Sequence, residues 1–214
     1  MVFRTVEKTS VQEVERRDAF FQLFKDSPLP TNEQLGNLGL FINRRTLSRI
    51  LFMYELYQKC LNVHGVAMEF GVRWGQNMVL FANFRGMLEP FNYNRKIIGF
   101  DTFEGFPSVT EEERKTAQVG DYSVTKDYEL FLQHILDFHE AESPISHLKK
   151  YELVKGDATL TLQKYLEEHP ETVIALAYFD FDLYAPTKTC LQLIKKHLTK
   201  GSVIGFDEVN YAEF

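Results

Sequence analysis

Acidic residues stand at the ends of five apolar runs, and this repeated placement is the feature of the chain that could do chemistry. The run from His64 to Phe70 carries Glu69 and closes in a glycine turn, Gly71-Val72-Arg73-Trp74-Gly75. The runs Ile97 to Asp101, Tyr151 to Asp157 and Val173 to Asp182 each end in an acid, and Ser202 to Glu208 ends in two, Asp207 and Glu208. Carboxylates accept hydrogen bonds from hydroxyls and amines and hold hard cations. One acid after one strand is an ordinary turn or helix cap. Five in corresponding places point to one ligand crevice, outside the carboxyl ends of parallel strands.

Such a crevice needs a sheet beneath it. Val11 to Phe24 reads as a short amphipathic helix, followed by a proline-containing loop from Ser27 to Thr31 and a stronger helix from Asn43 to Leu61, with Leu47, Ile50, Leu51, Tyr54, Leu56 and Tyr57 at helical spacing. Gly65 to Phe70 fits a buried strand, and Gln76 to Leu88 the helix that crosses back over the sheet. Further strands are expected at Lys96–Phe100, Tyr151–Lys155, Val173–Phe179 and Val203–Phe206, with helices at Leu160–Glu168 and Pro186–Leu198. The interval Ser108 to Lys150 is long for a connection inside a domain. It holds a charged section, a polar turn and a helix from Tyr128 to Phe138, and reads as a mobile cover over the crevice. Strands alternating with helices imply an α/β fold, a Rossmann-like three-layer sandwich with a mainly parallel sheet. The expected division is a helical extension over 1–62 and the Rossmann-like domain over 63–214.

At 214 residues with 44% hydrophobic content, the chain suits one domain with such an extension. A net charge of -6 without a block of Lys or Arg argues against a nucleic-acid partner. Cys60 and Cys190 sit in apolar helical patterns, as buried thiols of a reducing compartment do. With no leader pattern and no run long enough for a bilayer, the expectation is a cytoplasmic protein with no membrane partner. The six histidines form no recognisable ligand pair.

The turn reads E-x-G-x-x-x-G, not the G-x-G-x-x-G of dinucleotide sites, which argues against a nicotinamide-dependent oxidoreductase. Asp101, ending the second strand, can accept from both hydroxyls of a ribose. Asp157, after Gly156, can accept from an exocyclic amine or cap the next helix. Together these residues resemble the class I S-adenosylmethionine-dependent methyltransferases. That resemblance implies that Glu69, Gly71 and Gly75 face the methionine portion of the cofactor, Asp101 the ribose and Asp157 the adenine.

A narrower resemblance lies in Ile98-Gly99-Phe100-Asp101-Thr102-Phe103-Glu104-Gly105-Phe106-Pro107, in Gly156-Asp157-Ala158, and in Phe179-Asp180-Phe181-Asp182-Leu183-Tyr184-Ala185-Pro186-Thr187. These blocks look like the macrocin O-methyltransferase (TylF-type) family, whose members methylate hydroxyls of deoxysugars on macrolide and aminocoumarin antibiotics. The resemblance implies an S-adenosylmethionine-dependent O-methyltransferase assisted by Mg²⁺, with a small, sugar-containing acceptor. By position it assigns the metal to Asp180, Asp207 and Glu208, places Asp180 at the cofactor as well, and makes Asp182 the general base. Alternation along an extended segment would put Asp180 and Asp182 on one side. Glu208 stands where the family usually shows Asp. Family members continue beyond this point into strands that complete the sheet, so a sheet cut short at its C-terminal edge is expected. The rival reading is a non-catalytic binding or assembly protein that keeps the fold. The N-terminal helices would serve as a homodimer contact or as a lid, and acceptor specificity would lie in them and in Ser108–Lys150.

Overall fold

The apolar run before the glycine turn forms β1 (Val66–Phe70), the middle strand of a five-stranded sheet. The other strands are β2 (Ile97–Asp101), β3 (Tyr151–Lys155), β4 (Ile174–Phe179) and β5 (Leu198–Phe206). All pairings are parallel, in the order β3-β2-β1-β4-β5. The structure, a computed structural model, describes residues 10–115 and 117–207. Glu208 therefore lies outside the described residues. From β1 the chain builds outward to β3, then returns to place β4 against the other side of β1. The order reverses between β1 and β4, where an open α/β sheet leaves its crevice.

The described residues form seven α-helices: α1 (Val11–Lys25), α2 (Thr31–Gly36), α3 (Arg44–Lys59), α4 (Gln76–Leu88), α5 (Tyr128–Glu142), α6 (Ala158–Glu168) and α7 (Tyr184–Ile194). The chain divides after Leu51 into two units. In the first, α1 forms where expected but lacks the expected amphipathic stripe. None of its residues is buried, and Phe21 and Leu23 are exposed. Phe24 meets Phe41 edge-on at 5.0 Å. Asn43 caps α3, its Oδ1 accepting from the Arg45 and Thr46 amides at 2.9 and 3.0 Å.

The second unit has an apolar layer on each face of the sheet. On one, Met53, Leu56 and Tyr57 of α3 join Met78, Phe81 and Phe84 of α4 and Leu132 and Leu136 of α5. On the other, Leu162, Tyr165 and Leu166 of α6 and Cys190 and Ile194 of α7 cover Met68, Phe70, Ile98 and Phe100. Strands buried on both faces must be apolar almost throughout, which is why β4 reads Ile-Ala-Leu-Ala-Tyr-Phe. Both cysteines are buried free thiols. Burial pushes Cys60 up to about 11 and Cys190 up to about 12, so neither is a nucleophile near neutral pH. Among the described residues no helix is long and apolar enough to cross a membrane.

Among the described residues, two clusters of buried, partnered charge lie by the amino ends of the strands. Arg95, just before β2, donates to the carbonyls of Gly65 (2.7 Å), Cys60 (3.0 Å) and Val63 (2.8 Å) and pairs with Glu89 at 2.9 Å. Glu89 also accepts from the Tyr57 hydroxyl at 2.7 Å. A second cluster joins Glu140 of α5 to Arg85 of α4 and to Lys150, whose ammonium lies 2.9 Å away.

Burial works against ionisation of Glu89, but the hydrogen bonds from Arg95, Tyr57 and Asn92 outweigh it and hold its carboxyl below the ordinary 4.5. A depressed folded-state pKa contributes stability that is present above the unfolded value and lost as pH falls through the folded one. The urea midpoint of the wild type is therefore expected to drop more steeply below pH 4.5 than that of Glu89→Gln. Parallel midpoint-versus-pH curves would show that this carboxylate carries no such stability.

Candidate active site

Four phenylalanines run side by side under the carboxyl ends of four strands. Phe70 of β1 pairs in register with Phe100 of β2 and Phe179 of β4, and Phe179 pairs with Phe206 of β5. Their rings stack at 5.2, 4.6 and 5.3 Å, with interplanar angles of 16, 17 and 19°. Such pairs contribute about 0.5–1.5 kcal/mol each beyond burial, and a slip of one residue would break all of them. The residue that follows each phenylalanine is Asp101, Gly71, Asp180 or Asp207, so the aromatic row sets these four side by side. Backbone bonds continue one step further: Gly71 N donates to Phe100 O, Asp180 N to Phe70 O and Asp207 N to Phe179 O, at 3.0, 2.8 and 2.9 Å.

The glycine turn sits at the reversal point. Gly71 has φ 91°, and a Cβ there would overlap the carbonyl oxygen of Asp180, so only glycine lets the turn after β1 lie against the loop after β4. Glu69, on β1 below the turn, is 1% exposed, and its Oε1 accepts from Asn77 Nδ2 in the first turn of α4 at 2.8 Å. Gly75, φ 78°, is the residue before α4 and packs against Leu132 of α5. Arg73 takes φ 49°, and its amide donates to Asp101 Oδ2 at 2.8 Å. The other Asp101 oxygen accepts from the Phe103 amide at 2.6 Å. Asp101 thus ties the loops after β1 and β2 together. A carboxylate has about four acceptor sites, so one on each oxygen stays available to a ligand.

Asp157 performs the capping role weighed for it: its Oδ1 accepts from the Thr159 amide and hydroxyl at 2.9 and 2.7 Å, starting α6. Asp207 accepts from the hydroxyl of buried Tyr178 at 2.7 Å. Asp182 departs from the expected extended segment. Its φ is 56°, in the left-handed region, because the chain must turn sharply from β4 into α7. Alternation therefore does not set its side relative to Asp180. Arg73, Phe103 and Asp182, three non-glycine residues with positive φ, all lie in strand-end loops, where backbone strain commonly accompanies function. Among the described residues no group of three or more His, Cys, Asp or Glu is arranged to hold a metal ion; of the expected three ligands, Asp180 and Asp207 end adjacent strands, and Glu208 is outside the described residues.

The Ser108–Lys150 connection meets three of the strand-end loops. Phe106 N donates to Asp121 O, and Gly120 N to Phe106 O, both at 3.0 Å. The Tyr128 hydroxyl donates to Trp74 O at 3.1 Å, with the two rings edge-to-face at 4.7 Å. Glu113, on a short 3₁₀ turn, accepts from the amides of Tyr184 and Ala185 at the start of α7.

No protein-family profile matches the chain, and no curated protein does. Among solved structures it is similar to that of CalS11, a calicheamicin methyltransferase, with 43% identity over 98% of this chain and 83% of that one, and a TM-score of 0.91. The chain belongs to the CalS11 methyltransferase family. An apo structure of CalS11, described as a TDP-rhamnose 3'-O-methyltransferase in calicheamicin biosynthesis, gives 41% identity, coverage of 98% and 84%, and a TM-score of 0.83. The O-methyltransferase NovP, at 19% identity, 74% and 64% coverage and a TM-score of 0.57, shares the fold. The Rossmann-like, class I methyltransferase architecture of this CalS11-family protein is thus the one expected. Reading strand ends alone overlooked Asn77 under Glu69, Tyr178 under Asp207, and Glu113. Glu113 does carry a signal, since Thr110-Glu111-Glu112-Glu113 is a T-x-x-E capping pattern. The aromatic row carries one too, in the Phe-Asp pairs that close β2, β4 and β5.

Proposed function

We propose that this CalS11-family protein is an S-adenosylmethionine-dependent O-methyltransferase that methylates a hydroxyl of a deoxysugar carried on a small molecule. The observation that carries this reading is the 43% identity to CalS11 across 98% of the chain, and the D-T-F-E-G-F-P and D-x-D-L-Y-x-x-T blocks of the macrocin (TylF-type) pattern support it. The β1–β4 reversal point suits the cofactor. Gly71 and Gly75 keep two positions of the turn free of side chains, buried Glu69 supplies negative charge toward the cationic methionine portion, and Asp101 keeps acceptor capacity for ribose hydroxyls.

S-adenosylmethionine, when bound, supplies a methyl group on a cationic sulfur. The chain's residues hold the acceptor in line with it and manage one proton. Asp182 receives the proton of the acceptor hydroxyl, Asp180 and Asp207 line the adjacent strand ends, and Asp157 lies toward the adenine while capping α6. The oxygen donors of Asp180 and Asp207 suit Mg²⁺, with Glu208 as the third ligand, and the metal would lower the pKa of a bound hydroxyl.

Calorimetric titration of S-adenosylhomocysteine into the protein, with NADH as the comparison ligand, tests the reading. Binding of the homocysteine compound alone is expected, weakened about tenfold or more in Asp101→Ala, which loses hydrogen bonds to a charged acceptor. Binding of NADH alone, or of neither ligand, would overturn it. Dialysis against a chelator is expected to remove turnover and spare S-adenosylhomocysteine affinity. Full turnover after chelation would remove Mg²⁺ from the assignment.

A further inference from the structure

The helix that follows the Asp180–Asp182 loop has no cap of its own. Leu183 precedes α7, and no side-chain hydrogen bond from that position covers its first amides. A helix start leaves such amides without backbone partners. Here they are met from 71 residues away: Glu113 Oε1 accepts from Tyr184 N at 3.0 Å, and the Ala185 amide lies at 3.4 Å. The same carboxylate is held from behind. Its Oε2 accepts from the Thr110 amide and hydroxyl at 2.9 and 2.8 Å, and the Thr110 hydroxyl accepts from the Glu113 amide at 3.3 Å.

The segment bearing Glu113 has a second attachment. Gly105 has φ 81°, and a Cβ there would overlap the carbonyl oxygens of Gly120 and Asp121, so the chain after β2 folds back closely on this segment. The segment is therefore pinned to the loop after β2 at Gly105–Phe106 and to the loop after β4 at Tyr184. Burial opposes ionisation of Glu113, and its bonds from Thr110 and from the α7 amides prevail, holding its carboxyl below the ordinary value.

We propose that Glu113 is a positioning residue: it fastens the covering segment to the loop that carries Asp180 and Asp182 and so fixes where the acceptor hydroxyl meets Asp182. This rests on the methyltransferase reading of that loop. Removing the carboxylate should loosen the acceptor side of the crevice and leave the cofactor side, built on Glu69, Gly71 and Asp101, as it was.

The full-length wild type, Glu113→Ala and Glu113→Gln would be compared by hydrogen exchange, calorimetry with S-adenosylhomocysteine, and turnover with TDP-rhamnose as the acceptor probe. In Glu113→Ala, exchange in peptides covering 106–126 and the first turn of α7 is expected to speed up by about ten- to a hundredfold, as loss of hydrogen bonds to a charged group predicts. S-adenosylhomocysteine affinity should stay within about twofold, while KM for the acceptor rises more than kcat falls. Glu113→Gln keeps an acceptor oxygen for α7 and should recover most of the protection. Wild-type exchange in Glu113→Ala would overturn the proposal, and so would a loss of S-adenosylhomocysteine affinity as large as the loss of protection. Exchange needs no turnover. A wild type that binds no S-adenosylhomocysteine would therefore sink the methyltransferase reading and leave the fastening to be decided by its own measurement.

Discussion

Asp182→Asn is expected to lower kcat by about 10²- to 10⁴-fold, the usual contribution of a positioned general base, while S-adenosylhomocysteine binds within about twofold of wild type. Asparagine is the informative substitution because Asp182 stands at φ 56°. Asn tolerates the left-handed region, so the variant keeps the turn into α7 and loses only the capacity to take a proton. Alanine at the same place would add backbone strain of about 1–2 kcal/mol and confuse the two effects. The contrast is with Asp101, whose oxygens hold the amides of Arg73 and Phe103 and whose loss should show in cofactor affinity. Near-normal turnover in Asp182→Asn would eliminate this residue as the base.

Glu140→Ala should have the largest effect on stability. Glu140 is 5% exposed, while Arg85 and Lys150, the two cations it pairs with, are 1% and 2% exposed. Truncating the shared carboxylate leaves both cations buried without their counter-charge, a loss of about 3–5 kcal/mol when a buried ion pair is broken on one side. For a domain of this size that corresponds to a fall in Tm of about 6–20 °C. Glu140 lies by the amino ends of the strands, so S-adenosylhomocysteine binding to the folded fraction should persist. A thermal midpoint within about 2 °C of wild type would mean that water or other groups already solvate the two cations.

The parts of the fold visible in the sequence are those where one physical signal dominated. Gly71 and Gly75 bracket the turn so firmly that the helix expected at Gln76–Leu88 is α4 as observed. The buried strands were legible as apolar runs. At β5 the signals competed: only Val203–Phe206 was expected, and the strand begins at Leu198, because Leu198 pairs with Ile174 before Thr199, Lys200, Gly201 and Ser202 form an irregularity, and pairing resumes at Val203 opposite Leu176. In α1, apolar residues suggested a packed face, but Phe20, Phe21, Leu23 and Phe24 are all exposed and none of the helix is buried. The acids at strand ends could be found by position. The side chains that hold two of them could not, because Asn77 bonds Glu69 and Tyr178 bonds Asp207 through tertiary approach. Nor could an expectation of extended chain foresee the left-handed turn at Asp182.

That turn, with the one at Arg73, bears on how the protein would respond to selection for heat tolerance. A non-glycine residue held at positive φ forgoes about 1–2 kcal/mol that glycine would recover. Arg73 and Asp182 are thus places where a screen for thermal resistance alone would find easy gains. Arg73 supplies the amide that joins two strand-end loops through Asp101, and Asp182 stands on the loop between β4 and α7. Glycine at Arg73 would keep that amide and so spare the link between the loops, whereas glycine at Asp182 would remove the carboxylate on which turnover is expected to depend, so hardiness gained at the second position would come at the expense of activity.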